Sequence, residues 1–284
     1  MKLIDLHVHS NISDGTLSPD KLALYAKHKG LSAIALTDHD TVAGIEACTQ
    51  QGRLIDLIVI PGIEFSAEYK NQEIHILGYY IDSHHPILLS QLSALIASRK
   101  QRNSLMLEKL NKLGFSITPQ DLISDTSSQT QTVFTRAHFA AALYKKGYVK
   151  SRSEAFDKYL GKDKPGYVQR AHFTPRECID IIHQAGGLAV LAHPYLYSLS
   201  SSQLHTLLKQ LSSDGLDGLE TFYTTHSKEE IANLLSLCIT FCLFPTGGSD
   251  FHGDNKPGLD IGTGYGDLQI PYDVLLAMEK KLLF

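Results

Sequence analysis

Residues 2–15, KLIDLHVHSNISDG, join a short apolar run to a group of polar side chains that can bind a metal ion. The apolar run at residues 2–8 predicts a β-strand, and His7 and His9 lie at its end. Side chains at positions i and i+2 of a strand point to the same face, so both imidazoles can contact one ion. Alone, such a pair is also compatible with an exposed strand.

Further apolar runs alternate along the chain with helical patterns, several of which begin at a Ser or Thr N-cap. Repeated βα units of this length indicate an α/β fold with a parallel sheet closed into a barrel. The later strands are predicted at residues 33–36, 57–60, 74–80, 188–192, 216–222 and 240–244, and the helices of the barrel at 18–30, 41–53, 174–185, 227–238 and 271–282.

Residues 99–170 interrupt this alternation with one predicted helix after another. They contain 14 Lys and Arg against 6 Asp and Glu, whereas the rest of the chain contains 12 and 24. We therefore predict a barrel formed by residues 1–98 and 171–284, and an inserted basic helical domain at 99–170 that attracts anions. A solvated helical face with a chance bias in charge is the alternative.

The overall composition excludes several classes of protein. The net charge of −4 over 284 residues does not suggest a general nucleic-acid coat protein, and four Cys are too few for a disulfide scaffold. No run of 18 apolar residues is present, and a charge at position 5 argues against a signal peptide. We therefore expect a cytoplasmic protein that does not enter the membrane, and the sequence indicates no stable protein partner.

The fourteen His are more than an average protein of this size contains, and their positions are informative. Barrel enzymes carry reactive side chains at the carboxyl ends of their strands. Each residue has a structural alternative, such as a turn carboxylate or a core histidine, but the joint pattern over six strands indicates a metal site. The candidate ligands are His7, His9, Asp14, His39, Glu64, His75, His193, Asp250 and His252.

Nine candidate ligands are too many for one ion, because zinc takes four or five ligands and manganese or iron about six. The set therefore predicts two or three divalent ions. Imidazole mixed with carboxylate, without thiolate, favours manganese, with iron or zinc as alternatives. Three such ions outweigh the carboxylates in charge, so the pocket is expected to attract phosphate.

These motifs, in this order, resemble the PHP (polymerase and histidinol phosphatase) family, which implies a distorted (βα)7 barrel around a trinuclear metal centre. The resemblance implies three ligand sets, in which Glu64 bridges the first two ions, and catalytic roles for Asp250, His193 and His252. Asp14 stands where many members have His, which weakens any transfer of histidinol-phosphate activity. The implied sets are His7, His9, Glu64 and Asp250; Glu64, His75 and His193; and Asp14, His39 and His252.

Two stretches of the insertion, VFTRAHFA and YLGKDKPGYV, resemble the family's nucleoside 3′,5′-bisphosphate phosphatases, which include 5′→3′ exoribonucleases. The resemblance implies a nucleotide bisphosphate or a short 5′-phosphorylated RNA as substrate. It implies phosphate clamps at Arg136 and Lys164, with His138, Lys162 and Tyr167 as weaker candidates for substrate binding. Each of these could instead be a surface charge or a packed aromatic.

Three other functions remain open from the sequence. Another phosphatase of the same family could act on histidinol phosphate or phosphotyrosine. An amidohydrolase-type enzyme also begins with H-x-H, although such barrels often need a carbamylated Lys where this chain has Glu64. A metal-stabilised module without catalytic activity belongs to a different class, and the complete set of ligands argues against it.

Overall fold

The computed structural model describes residues 2–123, 134–169 and 173–282. In these ranges eight strands form one sheet in the order β7-β6-β5-β4-β3-β2-β1-β8. The strands are β1 (Leu3–Val8), β2 (Leu31–Leu36), β3 (Ile58–Tyr69), β4 (Gln72–Tyr79), β5 (Leu188–Leu191), β6 (Gly218–Tyr223), β7 (Phe244–Gly248) and β8 (Ile270–Pro271).

The sheet curves until the residues after β7 meet β1. The backbone N–H of Asp250 donates to the carbonyl of His7 at 2.9 Å, and the N–H of His9 donates to the carbonyl of Phe251 at 2.9 Å. These contacts nearly close the barrel and place Asp250 beside the end of β1. The predicted α/β barrel is therefore confirmed.

The prediction of a parallel sheet was wrong for two strands, β4 and β8, which run against the others. β3 and β4 form an antiparallel hairpin, β4 also pairs antiparallel with β5, and the short β8 pairs antiparallel with β1. The hairpin turns through Lys70 and Asn71, whose φ angles of 49° and 63° suit a two-residue turn between twisted strands. β3 consequently continues well past the predicted end at residue 60.

Helices cover the outside of the barrel and also form the segment between β4 and β5. Capping boxes start α6, α7 and α8, where a Ser or Thr side chain and a Glu or Gln three residues later satisfy free N–H groups. The helices are α1 (Pro19–His28), α2 (Ile45–Leu54), α3 (Pro86–Lys112), α4 (Arg136–Lys145), α5 (Arg152–Ala155), α6 (Pro175–Gln184), α7 (Ser201–Ser213), α8 (Lys228–Phe241) and α9 (Asp273–Lys281).

The strand predicted at residues 240–244 was also wrong. α8 continues to Phe241, its chain turns at Cys242 with a φ of 55°, and β7 begins only at Phe244. A short run of apolar residues shows neither the spacing typical of a helix nor that of a strand, so it fits a buried helix end as well as a strand. The shift moves β7 toward Asp250 and leaves that residue just beyond the strand.

Three groups of buried apolar residues lie in the described chain. One fills the barrel, another lies between the sheet and its helices, and a third belongs to the helices between β4 and β5, with Met106, Phe139 and Leu160 among its members. α3 runs from Pro86 through residue 99 without a break. The predicted domain boundary at 170/171 lies outside the described residues, so the division into domains stays a prediction.

Membrane-spanning segments are not found in the part of the chain that the structure describes, where no helix is both long and apolar enough to cross a bilayer.

Candidate metal centre

The candidate ligands meet at one end of the barrel because of the strand directions. β1, β2, β5 and β7 each end there, so His7, His9, His193 and Asp250 come together. β4 runs the opposite way, and its beginning therefore lies at the same end. His75, near that beginning, pairs with Ser66 of β3 and joins the group.

Glu64 lies at the middle of the cluster and contacts histidines through both oxygens. Its Oε1 is 2.7 Å from Nδ1 of His75 and 3.1 Å from Nε2 of His193. Its Oε2 is 3.0 Å from Nδ1 of His39 and 3.3 Å from Nε2 of His9. A buried carboxylate with imidazoles on both oxygens can bridge two cations.

Asp250 faces the same space from the opposite side. Its Oδ1 is 3.3 Å from Nε2 of His9 and 3.6 Å from Nε2 of His7. Asp250 itself has a φ of 57°, which is unusual for a residue other than glycine and turns its side chain inward. Gly248, two residues earlier, passes so close to β1 that a Cβ there would overlap the Cβ of His7.

Asp14 completes the cluster at its outer side. Its Oδ1 is 3.1 Å from Nε2 of His252 and 3.9 Å from Nδ1 of His9, and its Oδ2 is 3.8 Å from Nε2 of His39. His39 therefore lies between Asp14 and Glu64, and some residues could be ligands of more than one ion. Among the residues that the structure describes, three groups have ligand atoms close enough for one ion: His9, Asp14, His39 and His252; His7, His9 and Glu64; and His39, Glu64 and His75.

The structure thus brings all nine candidate ligands together. Several of their buried polar atoms form no hydrogen bond within the described residues, including Nε2 of His7, both ring nitrogens of His9 and Oε2 of Glu64. Buried polar atoms normally have partners, and such exceptions need an explanation. Divalent cations would satisfy these nitrogen and oxygen donors together, so the residues present fit such ions.

The electrostatics of the metal-free cluster lead to the same conclusion. Burial lowers the pKa of both His9 and His75, but nearby carboxylates outweigh it. The carboxylates of Asp250 and Glu64, each 3.3 Å from Nε2 of His9, raise the pKa of His9 to about 9. The charge of Glu64 raises the pKa of His75 to about 10. Protons on these imidazoles therefore balance the carboxylates in the metal-free chain, where cations would do so in the loaded one.

The carboxylates respond in the complementary way. Burial alone would raise the pKa of Glu64 and Asp14, but the surrounding histidines hold both well below their usual range. His39 differs from His9 and His75, since burial lowers its pKa to about 3. A neutral imidazole beside two ionised carboxylates is ready to bind a cation without losing a proton.

Glu220 of β6 supports the cluster from behind. It is fully buried, its Oε1 lies 2.9 Å from Nδ1 of His7, and its Oε2 accepts the backbone N–H of His193 at 2.7 Å. His193 has a φ of 22°, a sparsely populated conformation that needs such support. Carboxylates that hold the distal nitrogen of a metal-binding histidine are a common feature of metal sites.

Other polar residues hold the loops around the cluster. Asp38 accepts the N–H and hydroxyl of Ser10 at 2.8 and 2.6 Å, which holds the loop that carries Asp14. Asp40 forms an ion pair with the buried Arg99. These contacts anchor the chain on either side of His39.

A cavity of about 230 Å³ opens beside Asp14, His39 and His75. Three arginines border it: Arg99 and Arg102, both buried on α3, and Arg136 at the start of α4. We call it the arginine cavity. Its positive groups beside a metal-binding cluster suit an anionic group of a ligand.

The predicted substrate-binding residues fall into two groups. Arg136 and Tyr167 border the arginine cavity, with the guanidinium 5.8 Å from the centre of the Tyr167 ring. Arg136 also contacts Glu73 at 3.2 Å. Lys162 donates to the carbonyl of Asn71 at 2.9 Å, and Lys164 is exposed at the surface; neither borders this cavity.

His138 borders a second cavity, which also borders Asp14, and Nδ1 of its ring takes part in capping α4. Its Nδ1 accepts the backbone N–H of Thr135 at 3.1 Å, which leaves the ring proton on Nε2. Burial lowers the pKa of His138, so the ring is neutral at physiological pH. It can act as a hydrogen-bond donor there but not as a cation.

Several residues of the site were not found from the sequence. Arg99 and Arg102 occupy positions in the buried stripe of α3, after Leu92 and Leu95 at helical spacing. Charges on an otherwise apolar helix face were the available signal. Glu220 was a single acidic residue within an apolar strand, and buried charges of that kind are normally paired.

Comparisons with known proteins agree with this site. A family model described as the PHP domain matches residues 5–242. The chain is 37% identical over 264 residues to the 5′-3′ exoribonuclease Rnm of Escherichia coli, covering 92% of this chain and 88% of that protein. It is 30% identical over 262 residues to the 3′,5′-nucleoside bisphosphate phosphatase of Chromobacterium violaceum, covering 92% and 91%.

A solved structure agrees over nearly the whole length. A protein from Bifidobacterium adolescentis, provisionally assigned as a metal-dependent phosphoesterase, superposes with a TM-score of 0.86 at 30% identity. The superposition covers 99% of this chain and 96% of that one. The similarity therefore includes the helices between β4 and β5 as well as the barrel.

Proposed function

This chain belongs to the PHP domain family, and from that premise we propose that it is a metal-dependent phosphoesterase acting on phosphorylated nucleotides. The proposed reactions are removal of the 3′-phosphate from nucleoside 3′,5′-bisphosphates and 5′→3′ shortening of 5′-phosphorylated RNA. The observation that carries the proposal is the position of the arginine cavity directly beside the nine-residue cluster.

The two parts of the site suit a substrate with two phosphates. One phosphate would lie at the metal-binding cluster, where the ester bond is hydrolysed. The second would lie among Arg99, Arg102 and Arg136, since guanidinium groups bind phosphate oxygens in pairs. The relatives named for exoribonuclease and bisphosphate phosphatase activities support this pairing.

The same cavity argues against the alternative phosphatases. Histidinol phosphate carries a cationic ammonium group, which three arginines would repel. Phosphotyrosine brings one phosphate and an apolar ring, so it offers no second anionic group to the arginine cavity. A non-catalytic, metal-stabilised module would not need the arginine cavity beside the nine candidate ligands, so this arrangement favours an enzyme.

For the metal centre we propose three manganese ions, with the ligand sets given by the family resemblance. When bound, such ions polarise phosphate oxygens and lower the pKa of a water molecule to near 7. The protein holds the ligands rigidly, because Glu220 fixes His7 and the strained backbone of His193. Burial of the cluster keeps bulk water away and strengthens its electrostatic interactions.

The remaining residues would hold the substrate in place. Arg136, Arg102 and Arg99 would bind the phosphate that does not react. Tyr167, which stacks with Arg136, would hold that guanidinium in position. Lys256, which pairs with Asp250, would bring a positive charge to the edge of the cluster. Its pKa is raised because the attraction of Asp250 outweighs burial.

The test uses the full chain purified with manganese. Ions per chain are counted, and phosphate release from adenosine 3′,5′-bisphosphate is timed beside release of mononucleotides from a 5′-phosphorylated RNA. We expect activity on both substrates, and loss of bound metal and turnover together in Glu64→Gln. Glu229→Gln, an exposed carboxylate on α8, is the matched control. Preference for histidinol phosphate, or full activity of Glu64→Gln, would contradict the proposal.

A further inference from the structure

A second cavity, of about 630 Å³, also borders Asp14 and is lined by His252, Ala141, Lys145 and Arg152. We call it the outer cavity. We propose that it holds the nucleotides of an RNA substrate on the 3′ side of the phosphate that is hydrolysed. The inference rests on the proposed function and names the site for a part of the substrate that a mononucleotide lacks.

The positions of the two cavities motivate this inference. Both border Asp14, but each borders different further members of the metal-binding cluster: His39 and His75 for the arginine cavity, and His252 for the outer cavity. A substrate whose first phosphate lies in the arginine cavity and whose next phosphate lies at the cluster must continue away from both. The outer cavity is the larger of the two and begins at Asp14 and His252, where that continuation would emerge.

One wall of the outer cavity is a single face of α4. Ala137, Ala141 and Lys145 follow one another at intervals of four residues, and Tyr144 comes three residues after Ala141, so these side chains lie along that face. The alanines leave room beside the helix. Tyr144 is 51% exposed, so its ring offers a surface on which a base can stack, and Lys145 supplies a charge for a phosphate. Stacking of this kind accepts any base.

The opposite wall is tied to the metal-binding loop. Arg152 of α5 donates to Oδ1 of Asn255 at 2.9 Å, and Nδ2 of Asn255 donates to the carbonyl of Asp14 at 2.7 Å. This chain of contacts joins the helices to the loop that carries a candidate ligand. The cavity is thus preformed rather than dependent on the ligand, and Lys256 adds a cation at its inner end.

The experiment compares substrates that differ only on the 3′ side of the hydrolysed phosphate. Adenosine 3′,5′-bisphosphate has nothing beyond it, whereas a 5′-phosphorylated dinucleotide or octanucleotide RNA does. The variants are Lys145→Glu and Tyr144→Ala in the manganese-loaded full chain, with kcat and KM measured for each substrate. Lys112→Glu, an exposed lysine at the end of α3 that borders neither cavity, is the matched control.

We expect kcat/KM for the octanucleotide to fall about tenfold in each variant, mainly because KM rises. A tenfold loss is at the lower end of the binding energy that one stacked base or phosphate contact contributes. The dinucleotide should be affected less, and the mononucleotide should change by no more than about twofold. Lys112→Glu should behave as the wild type on all three. Two variants of different chemistry guard against a folding defect in either one.

Other results would overturn the inference. Equal losses on the mononucleotide and the octanucleotide would mean that the outer cavity holds the part common to both substrates. Unchanged octanucleotide kinetics in both variants would mean that the RNA leaves by another path. A wild-type enzyme that hydrolyses the bisphosphate but not RNA would overturn this inference alone, whereas inactivity on every nucleotide would overturn the proposed function as well.

Discussion

Oε1 of Glu220 lies 2.9 Å from Nδ1 of His7, while the other oxygen of the same carboxylate accepts the backbone N–H of His193. One fully buried side chain therefore positions two candidate ligands on different sides of Glu64. It also determines which ring nitrogen of His7 faces the cluster, since Nδ1 is occupied and Nε2 points toward Glu64 and Asp250.

Replacing Glu220 with Gln should weaken metal binding without removing any ligand. We expect manganese affinity to fall about 10- to 100-fold, the usual cost of losing a carboxylate behind a ligating histidine. Activity should return at high manganese, with kcat close to that of the wild type. A titration of activity against manganese measures this, with Glu229→Gln as control. Unchanged manganese dependence, or a loss that manganese cannot rescue, would argue against a positioning role.

Metal binding should release protons and strengthen as the pH rises. The pKa values of about 9 for His9 and about 10 for His75 mean that both rings are protonated at pH 7 in the metal-free chain. A metal ion binds only the neutral imidazole, so it must displace these protons. Calorimetry in two buffers with different ionisation heats should give different apparent enthalpies. Equal enthalpies would mean that these rings are neutral before the metal binds.

The same shifts predict how stability depends on pH. A raised pKa stabilises the folded chain fully below the ordinary histidine value of about 6.5, and this contribution is lost as pH rises through 9 to 10. The metal-free chain should therefore lose stability between about pH 7 and pH 10. The increase in Tm on adding manganese should grow over that interval. An increase in Tm that shrinks with rising pH would contradict the assignment.

Replacing Arg136 with Ala should weaken binding of the phosphate that does not react. A charge-assisted hydrogen bond contributes about 1.5–3 kcal/mol, so KM for adenosine 3′,5′-bisphosphate should rise about 10- to 100-fold. Adenosine 3′-phosphate, which lacks the second phosphate, should be affected much less. Arg176→Ala, an exposed arginine on α6, is the control. An unchanged ratio between the two substrates would exclude Arg136 as the clamp.

Replacing Gly248 with Ala should disturb β1 where it meets β7. A Cβ at this position would overlap the Cβ of His7, so one of the two strands must move. Overpacking of this kind costs about 1–3 kcal/mol, and we expect a lower Tm together with fewer ions per chain. Thermal unfolding and metal analysis of the same preparation measure both. A stable variant with a full complement of metal would show that the strands separate without cost.

The nine-residue cluster could be predicted from the sequence. Alternate side chains of a strand point to the same face, which places His7 and His9 together. The strand ends of a barrel then bring distant positions such as Glu64 and Asp250 together. The sequence was not sufficient for the hairpin between β3 and β4, because Lys70 and Asn71 form a tight turn without the glycine that usually marks one.

Residues that act through packing were harder to predict than ligands. Glu220 lies in a mostly apolar strand, and Arg99 and Arg102 lie on the buried, mostly apolar face of α3. The contacts of Glu220 with His7 and of Arg99 with Asp40 join positions far apart in the sequence. Lys162 and Lys164 were suggested by a resemblance in sequence, but Lys162 donates to the carbonyl of Asn71 in the hairpin and Lys164 is exposed, and no periodicity in the sequence specifies these positions. Their roles in substrate binding stay predictions.

The most direct test of the central claim is anomalous diffraction at the manganese edge from crystals of the full chain grown with excess manganese. The account predicts manganese peaks inside the space enclosed by His9, Asp14, Glu64 and Asp250, with Glu64 between two of them. Crystals with no peak in that space, or with manganese bound only elsewhere on the chain, would contradict it.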